Sequence, residues 1–405
     1  MMPKEFSSGF DRRSAHRIGG IAGGKHRPLR IALVRQQYRP HGGAERFVGA
    51  LAFILQDQGH YVTVIARRWP KGGPAVLECN PPRLGRLLRD WGFARAVRRK
   101  LEHLEFDLVQ CHERIPGCEV YRAGDGVHRE WLRQRRRVLS WSSRCWLAAS
   151  PYHRYVLWAE KALFEHSRLR LVICNSRMVM HDILEHFSIE PAKLRVVYTG
   201  VDTTRFHPRL RMHRAPLRAE WGIPDEAPVF LFVGSGFELK GLRTALAALA
   251  AVEGCYLIVV GRDKAMRRYQ RAAEHLQLGS RVRFVGVQRD VGPYFGAADA
   301  FVLPTLYDAF PNVVLEAMAS GLPVITTTKC GASELVREDH SGYICDALDV
   351  AAFSSAMRRL KNRDASRRMG SNARRSVEPL TPAAMRQQLL HIYDELLDEL
   401  VRSAA

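Results

Sequence analysis

Two doubly wound α/β domains with a cleft between them are what this sequence predicts, and three observations predict it. The chain has 405 residues, more than one ordinary hydrophobic core organises. From residue 30, short β-branched and aliphatic runs alternate with longer helical stretches, and such alternation builds parallel sheets. The alternation lapses after residue 198 and resumes at residue 229, across a polar stretch. Two series of strands follow from that gap, each expected to have its own core.

The first series reads "RIALV" (30–34), "YVTVI" (61–65), "DLVQC" (107–111), "LVIC" (171–174) and "RVVY" (195–198). The second reads "VFLFVG" (229–234), "YLIVVG" (256–261), "RVRFVG" (281–286), "AFVLP" (300–304) and "PVITT" (323–327). Runs this apolar belong to strands buried on both faces. The expected division is a flexible basic tail over 1–28, a first domain over 29–205 and a second over 206–382. A closing helix over about 383–403 sets Leu389, Ile392, Leu396, Leu397 and Leu400 at helical spacing. Ligands in such folds bind beyond the carboxyl ends of the strands.

Composition narrows the class. With 46% apolar and 25% charged residues, the chain reads as globular rather than disordered. Eight cysteines are scattered without a C-x-x-C pair, which suits reduced core thiols rather than a disulfide framework or a zinc site. There is no apolar run of membrane-spanning length, and the first 30 residues lack the apolar stretch of a secretory signal. A cytoplasmic protein is expected.

The net charge of +21 is unevenly placed: residues 1–200 hold 35 Lys and Arg against 18 Asp and Glu, residues 201–405 hold 27 against 23. The excess concentrates in "RLGRLLRDWGFARAVRRK" (83–100) and "HREWLRQRRR" (128–137), where cations interleave with Leu, Trp and Phe. Such segments suit either an anionic membrane surface or a solvated basic helix face. Nucleic-acid binding rests on charge alone, since no recognition helix, stacking sheet or OB-fold pattern accompanies it.

Glycines mark where a ligand could approach. Gly42 and Gly43 follow the first strand and precede a helix starting near Ala44; Gly234 and Gly236 hold the corresponding place in the second series, with Lys240 just before the next helix. Glycine lets a backbone approach a phosphate closely, and a helix N-terminus offers it free N–H groups. Neither G-x-G-x-x-G nor a P-loop is present. In "DAFPNVVLEAMASGLPVITT" (308–327), Pro311 is expected to open a helix, Gly321 to end it and Pro323 to keep it from re-forming. Asp308 then lies over a strand end, the N–H groups of Asn312 and Val313 face the cleft, and Glu316 sits about one and a half turns in. One ligand with a hydroxyl-bearing ring, a diphosphate and a ribose could engage them all, because a carboxylate accepts paired hydroxyl hydrogen bonds.

These motifs, with "GVDTTRFHP" and "RPHGGAERFV", resemble the large family four of retaining GT-B glycosyltransferases over nearly all of residues 30–400. Through "GCEVYRAGDGVHREW" (117–131) and "YVLWAEKALFEHSRLRLVICNS" (155–176) the chain is similar to that family's lipopolysaccharide core glucosyltransferase I group. The resemblance implies a nucleotide-diphosphate sugar held mainly by the second domain and an acceptor held mainly by the first. It also implies a last helix crossing back onto the first domain. Glu316 would hold the ribose and Asp308, where the family has Glu, the donor sugar. Lys240 and the Gly42–Gly43 loop would lie at the diphosphate. Leu239 stands where the family often has Arg, which makes Arg262 a substitute. Asp125 matches an acid proposed for the active site, with His128 beside it as an acceptor contact or proton relay.

The implied chemistry is metal-free transfer of a hexose, glucose foremost, from a UDP-sugar to the inner core of lipopolysaccharide at the inner face of the cytoplasmic membrane. The departing diphosphate would take the acceptor's proton. A different nucleotide sugar, or a polyprenyl-linked O-antigen or capsule acceptor, is the alternative within the family. A non-catalytic scaffold is disfavoured by the presence of Lys240 and Glu316.

Overall fold

The computed structural model describes residues 28–38, 43–70 and 73–404. Residues 1–27 of the tail expected over 1–28, and Gly42, lie outside them. Two all-parallel sheets account for every named strand. The first holds β1 (Arg30–Val34), β2 (Tyr61–Ala66), β3 (Ala75–Glu78), β4 (Leu108–Cys111), β5 (Val120–Ala123), β6 (Leu171–Cys174) and β7 (Leu194–Val196), in the order β3-β2-β1-β4-β5-β6-β7. The second holds β8 (Val229–Val233), β9 (Tyr256–Val260), β10 (Val282–Gly286), β11 (Ala300–Val302), β12 (Val324–Thr327) and β13 (Gly342–Cys345), in the order β10-β9-β8-β11-β12-β13. Both orders reverse after their first strand, so each sheet has a switch point, between β1 and β4 and between β8 and β11. There the crossover helices leave to opposite faces and open a crevice at the strand ends.

Helices cover both faces. In chain order they are α1 (Gly43–Asp57), α2 (Gly85–Glu102), α3 (His128–Arg136), α4 (Trp141–Ala149), α5 (Pro151–Phe164), α6 (Arg177–His186), α7 (Arg214–Glu220), α8 (Leu242–Ala250), α9 (Met266–His275), α10 (Gly292–Ala297), α11 (Asn312–Ala319), α12 (Val350–Arg359), α13 (Arg363–Val377) and α14 (Pro382–Ala404). The polar stretch before residue 229 carries structure of its own. A 3-10 turn over Pro208–His213 and helix α7 pack onto the second sheet. The fully buried Arg218 donates to the carbonyls of Ala297, Asp225 and Ala227 and to Asp299. Satisfying that many acceptors is what allows a guanidinium inside a core. Val201 and Phe206 also belong to the second core.

The chain crosses between the halves twice, side by side. Val201 N–H donates to Leu380 O at 2.8 Å, and a Cβ on Gly200 would meet Pro382 N at 2.5 Å. After the second crossing, α14 returns to the first sheet: Leu389, Ile392, Leu396 and Leu397 are buried in one cluster with β1, β2 and α1, together with Tyr393. Leu400 lies outside the described side chains. Seven of the eight cysteines are buried and unbridged; Cys145, on α4, is the exposed one.

Candidate functional site

The second switch point gathers most of the expected residues. After β8 the chain turns through Gly234 and Gly236, the latter at φ +76°, and Gly241 caps α8 at φ +74°. A Cβ on Gly241 would lie 1.8 Å from Pro304 O, so this turn is held against the end of β11. Gly261, which ends β9, packs equally close to Gly234 O and leaves the exposed Arg262 beside the same turn. Asp263 fixes the loop by accepting from Phe237 N–H at 2.8 Å.

Lys240 Nζ is ion-paired and hydrogen-bonded to Asp308 Oδ2. Burial opposes the ammonium, but the Asp308 carboxylate outweighs it and raises the lysine pKa. Lys240 and Asp308 thus form one paired unit, with one carboxylate oxygen engaged by the ammonium. Two of the three ammonium donors and one carboxylate oxygen remain for other partners.

Pro311 is the N-cap of α11 rather than its first residue, with ψ at 116°; the helix begins at Asn312. The proline ring sets φ but leaves ψ free to stay extended, while its carbonyl accepts from Val314 N–H. No side chain caps this end, so the N–H groups of Asn312 and Val313 face outward at the positive end of the helix dipole. Glu316 follows on the half-buried face. The helix closes as expected, with Gly321 at φ +78° and its N–H on Met318 O.

The first half meets this loop directly. Tyr307 Oη accepts from Val127 N–H and donates to Asp182 Oδ2, both at 2.9 Å, and Ser176 Oγ donates to Ala309 O. A Cβ on Gly126 would fall 2.5 Å from Tyr307 Oη, so only glycine fits. Asp125 is therefore held, exposed, one residue from the contact between the halves. Lys329 bridges Asp182 at 3.0 Å and Glu130 at 3.1 Å. The carboxyl ends of both sheets thus face one another.

His128 opens α3 with its ring stacked between Trp131 and His153, Nε2 lying 2.9 Å from His153 Nδ1. Burial, then Arg114 and His153, push its pKa down to about 3; it is neutral at pH 7. His153 is lowered too, by burial and then Arg86 and Arg135. Gly43 begins α1, one residue earlier than expected.

Sequence reasoning missed the charges at the first switch point. Glu113, just past β4, pairs with Arg35 at 3.2 Å and accepts from Gln36 N–H at 3.0 Å. Burial pushes its pKa up against the pull of Arg35. No local pattern pointed to it, because Arg35 and Glu113 follow two different strands and lie 78 residues apart.

Comparison with known proteins settles what scaffold this is. The family described as Glycosyltransferase Family 4 matches residues 41–205, and Glycosyl transferases group 1 matches residues 213–376. Together they take in most of the chain. The protein is a GT-B glycosyltransferase of family 4. The lipopolysaccharide glucosyltransferase WaaG of Escherichia coli (strain K12) is 27% identical over 78% of this chain and 84% of its own length. The lipopolysaccharide core biosynthesis glycosyltransferase LpsE of Rhizobium meliloti (strain 1021) is 31% identical, and the D-inositol 3-phosphate glycosyltransferase of Corynebacterium glutamicum (strain R) 28%. The matches to these two cover 44% and 55% of this chain, and the chain spans about half of each, 52% and 56%.

Among solved structures, WaaG superposes with a TM-score of 0.75 at 24% identity, over 89% of this chain and 99% of its own. Anabaena Alr3699/HepE in complex with UDP-glucose superposes at 0.65 and 18%, over 91% and 100%. These likenesses are of fold. In a GT-B glycosyltransferase the two facing switch points are the two walls of one cleft.

Proposed function

We propose that the protein transfers a hexose, glucose foremost, from a UDP-sugar to the inner core of lipopolysaccharide with retention of configuration. The observation that carries this reading is the second switch point. An ammonium–carboxylate pair, Lys240–Asp308, stands beside the uncapped start of α11, with Glu316 about one turn further along. The uridine ribose lies on Glu316, the diphosphate on Lys240, Arg262 and the amides of Asn312 and Val313, close to Gly234 and Gly236. The donor sugar lies toward the open oxygen of Asp308.

In the reaction the anomeric carbon–oxygen bond to the diphosphate breaks as the acceptor hydroxyl bonds on the same face, and the acceptor's proton passes to the departing phosphate oxygen. Charge grows on that phosphate, and preorganised donors there stabilise the transition state. Asp125, on the acceptor side, orients the incoming hydroxyl; the stacked His128 shapes that wall without charge. UDP-glucose forms a complex with Anabaena Alr3699/HepE, and the relatives in lipopolysaccharide assembly support the acceptor.

Excess positive charge in residues 1–200 suits an acceptor presented at the anionic cytoplasmic face of the membrane, with the enzyme bound peripherally. Among the described residues no helix is long and apolar enough to cross a membrane.

Turnover of UDP-glucose, UDP-galactose, UDP-GlcNAc, ADP-heptose and GDP-mannose with truncated lipopolysaccharide core as acceptor tests the reading. Transfer from UDP-glucose with the α-linkage of the donor kept is expected. Transfer from another donor, or only to a polyprenyl-linked acceptor, would replace it.

A further inference from the structure

Helices α2, α3, α4 and α5 line an open cavity of about 460 Å³ that shares Trp131 and His153 with the stack around His128. Its chemistry is unusual. Two arginines, Arg86 and Arg135, and two tryptophans, Trp131 and Trp146, line it alongside His153, and among the described residues no carboxylate does. Trp131 and Arg135 are four residues apart and so share one face of α3.

The two guanidiniums have little carboxylate around them. Arg86 is exposed and lies 4.9 Å over the Tyr152 ring, with no carboxylate partner among the described residues. Arg135 reaches Glu238 only at 3.5 Å, and its Nε is buried without a hydrogen-bond acceptor. A buried N–H left unpaired costs stability, and a bound anion would satisfy it. Trp146 is 80% exposed, an indole face left largely uncovered by the described residues. His128 and His153 are neutral, so the cavity's charge is that of the two arginines.

The cavity adjoins the cleft. Val127, the N-cap of α3, donates its N–H to Tyr307 next to Asp308, and Arg135 touches Glu238 two residues before Lys240. A planar guanidinium pair binds phosphate or carboxylate in fork geometry, and an indole takes the apolar face of a sugar ring. We propose that this cavity is an acceptor subsite for an anionic sugar unit, a ring bearing phosphate or carboxylate adjacent to the one that is glycosylated. The assignment to the acceptor rests on the function proposed above; the anionic-sugar chemistry rests on the cavity alone.

Calorimetric titration of the full-length protein, saturated with UDP, tests it with four probes: glucose 6-phosphate, glucuronate, glucose and inorganic phosphate. Glucose 6-phosphate or glucuronate should bind at least tenfold tighter than glucose and than inorganic phosphate, and which of the two wins identifies the anion. Arg86→Gln and Trp146→Ala, both at exposed positions, should each weaken that binding about tenfold and leave UDP affinity unchanged. Equal binding of charged and neutral sugars would overturn the proposal. So would inorganic phosphate binding as tightly as the sugar phosphate, or affinity unmoved by Arg86→Gln. If the sugar binds in an Arg86-dependent way but UDP does not bind at all, the donor reading fails and the anionic-sugar site stands.

Discussion

Lys240 and Asp308 are 68 residues apart in sequence and form one unit in space. Each was legible alone, from its place after a strand, but their pairing was not, because no local pattern records which crossover loops meet. Glu113 and Arg35 escaped notice for the same reason. If Lys240 supplies charge to the leaving diphosphate, Lys240→Ala should lower kcat by ~10²–10³, the loss typical of removing one preorganised donor. Steady-state kinetics with circular dichroism checks this with folding controlled. His128 makes a prediction with a definite sign. Its folded pKa of about 3 lies below the ordinary value of about 6.5, so the unfolded chain binds the extra proton first. The stability it contributes is complete above pH 6.5 and is lost as pH falls from there toward 3. Melting temperatures of wild type and His128→Gln between pH 7 and 4.5 should therefore converge on acidification.

Among the elements, the apolar strands were readable almost to the residue: β1 and β6 coincide with their expected runs. Three were not read. β3, β5 and β13 have four residues each, and β5 carries Arg122 in its middle, buried with its guanidinium 3.5 Å over the Phe47 ring. A cation–π contact hides that arginine from any pattern based on hydropathy. The return of α14 was expected from the family resemblance, whereas its periodicity showed only that one face is apolar. Tyr393, which the spacing reading passed over, is fully buried there. Leu397 is fully buried in the same cluster, and Leu397→Ala should cost ~2–5 kcal/mol through lost burial and the cavity left behind. Urea denaturation followed by far-ultraviolet circular dichroism would show it as a lower midpoint at unchanged slope.

At the scale of the molecule, two domains of the same strand order face each other across Tyr307 and Lys329. Lys329 sits between Glu130 and Asp182 from the opposite half. Burial works against the ammonium, but Asp182 and Glu130 outweigh it and raise its pKa. Removing one partner of such a cluster strands the others, so Lys329→Ala should cost ~3–5 kcal/mol and loosen the two halves, seen as a larger radius of gyration in X-ray scattering. The domain count and the cleft were visible from the two strand series; how the halves touch was not, since Glu130, Asp182 and Lys329 sit in three unrelated segments. The central claim is that the second switch point binds the nucleotide of a sugar donor through Glu316. Titration of UDP into wild type and Glu316→Ala by calorimetry tests it most directly. The account predicts one UDP per wild-type chain and at least tenfold weaker binding in the variant; equal affinity in the two would contradict it.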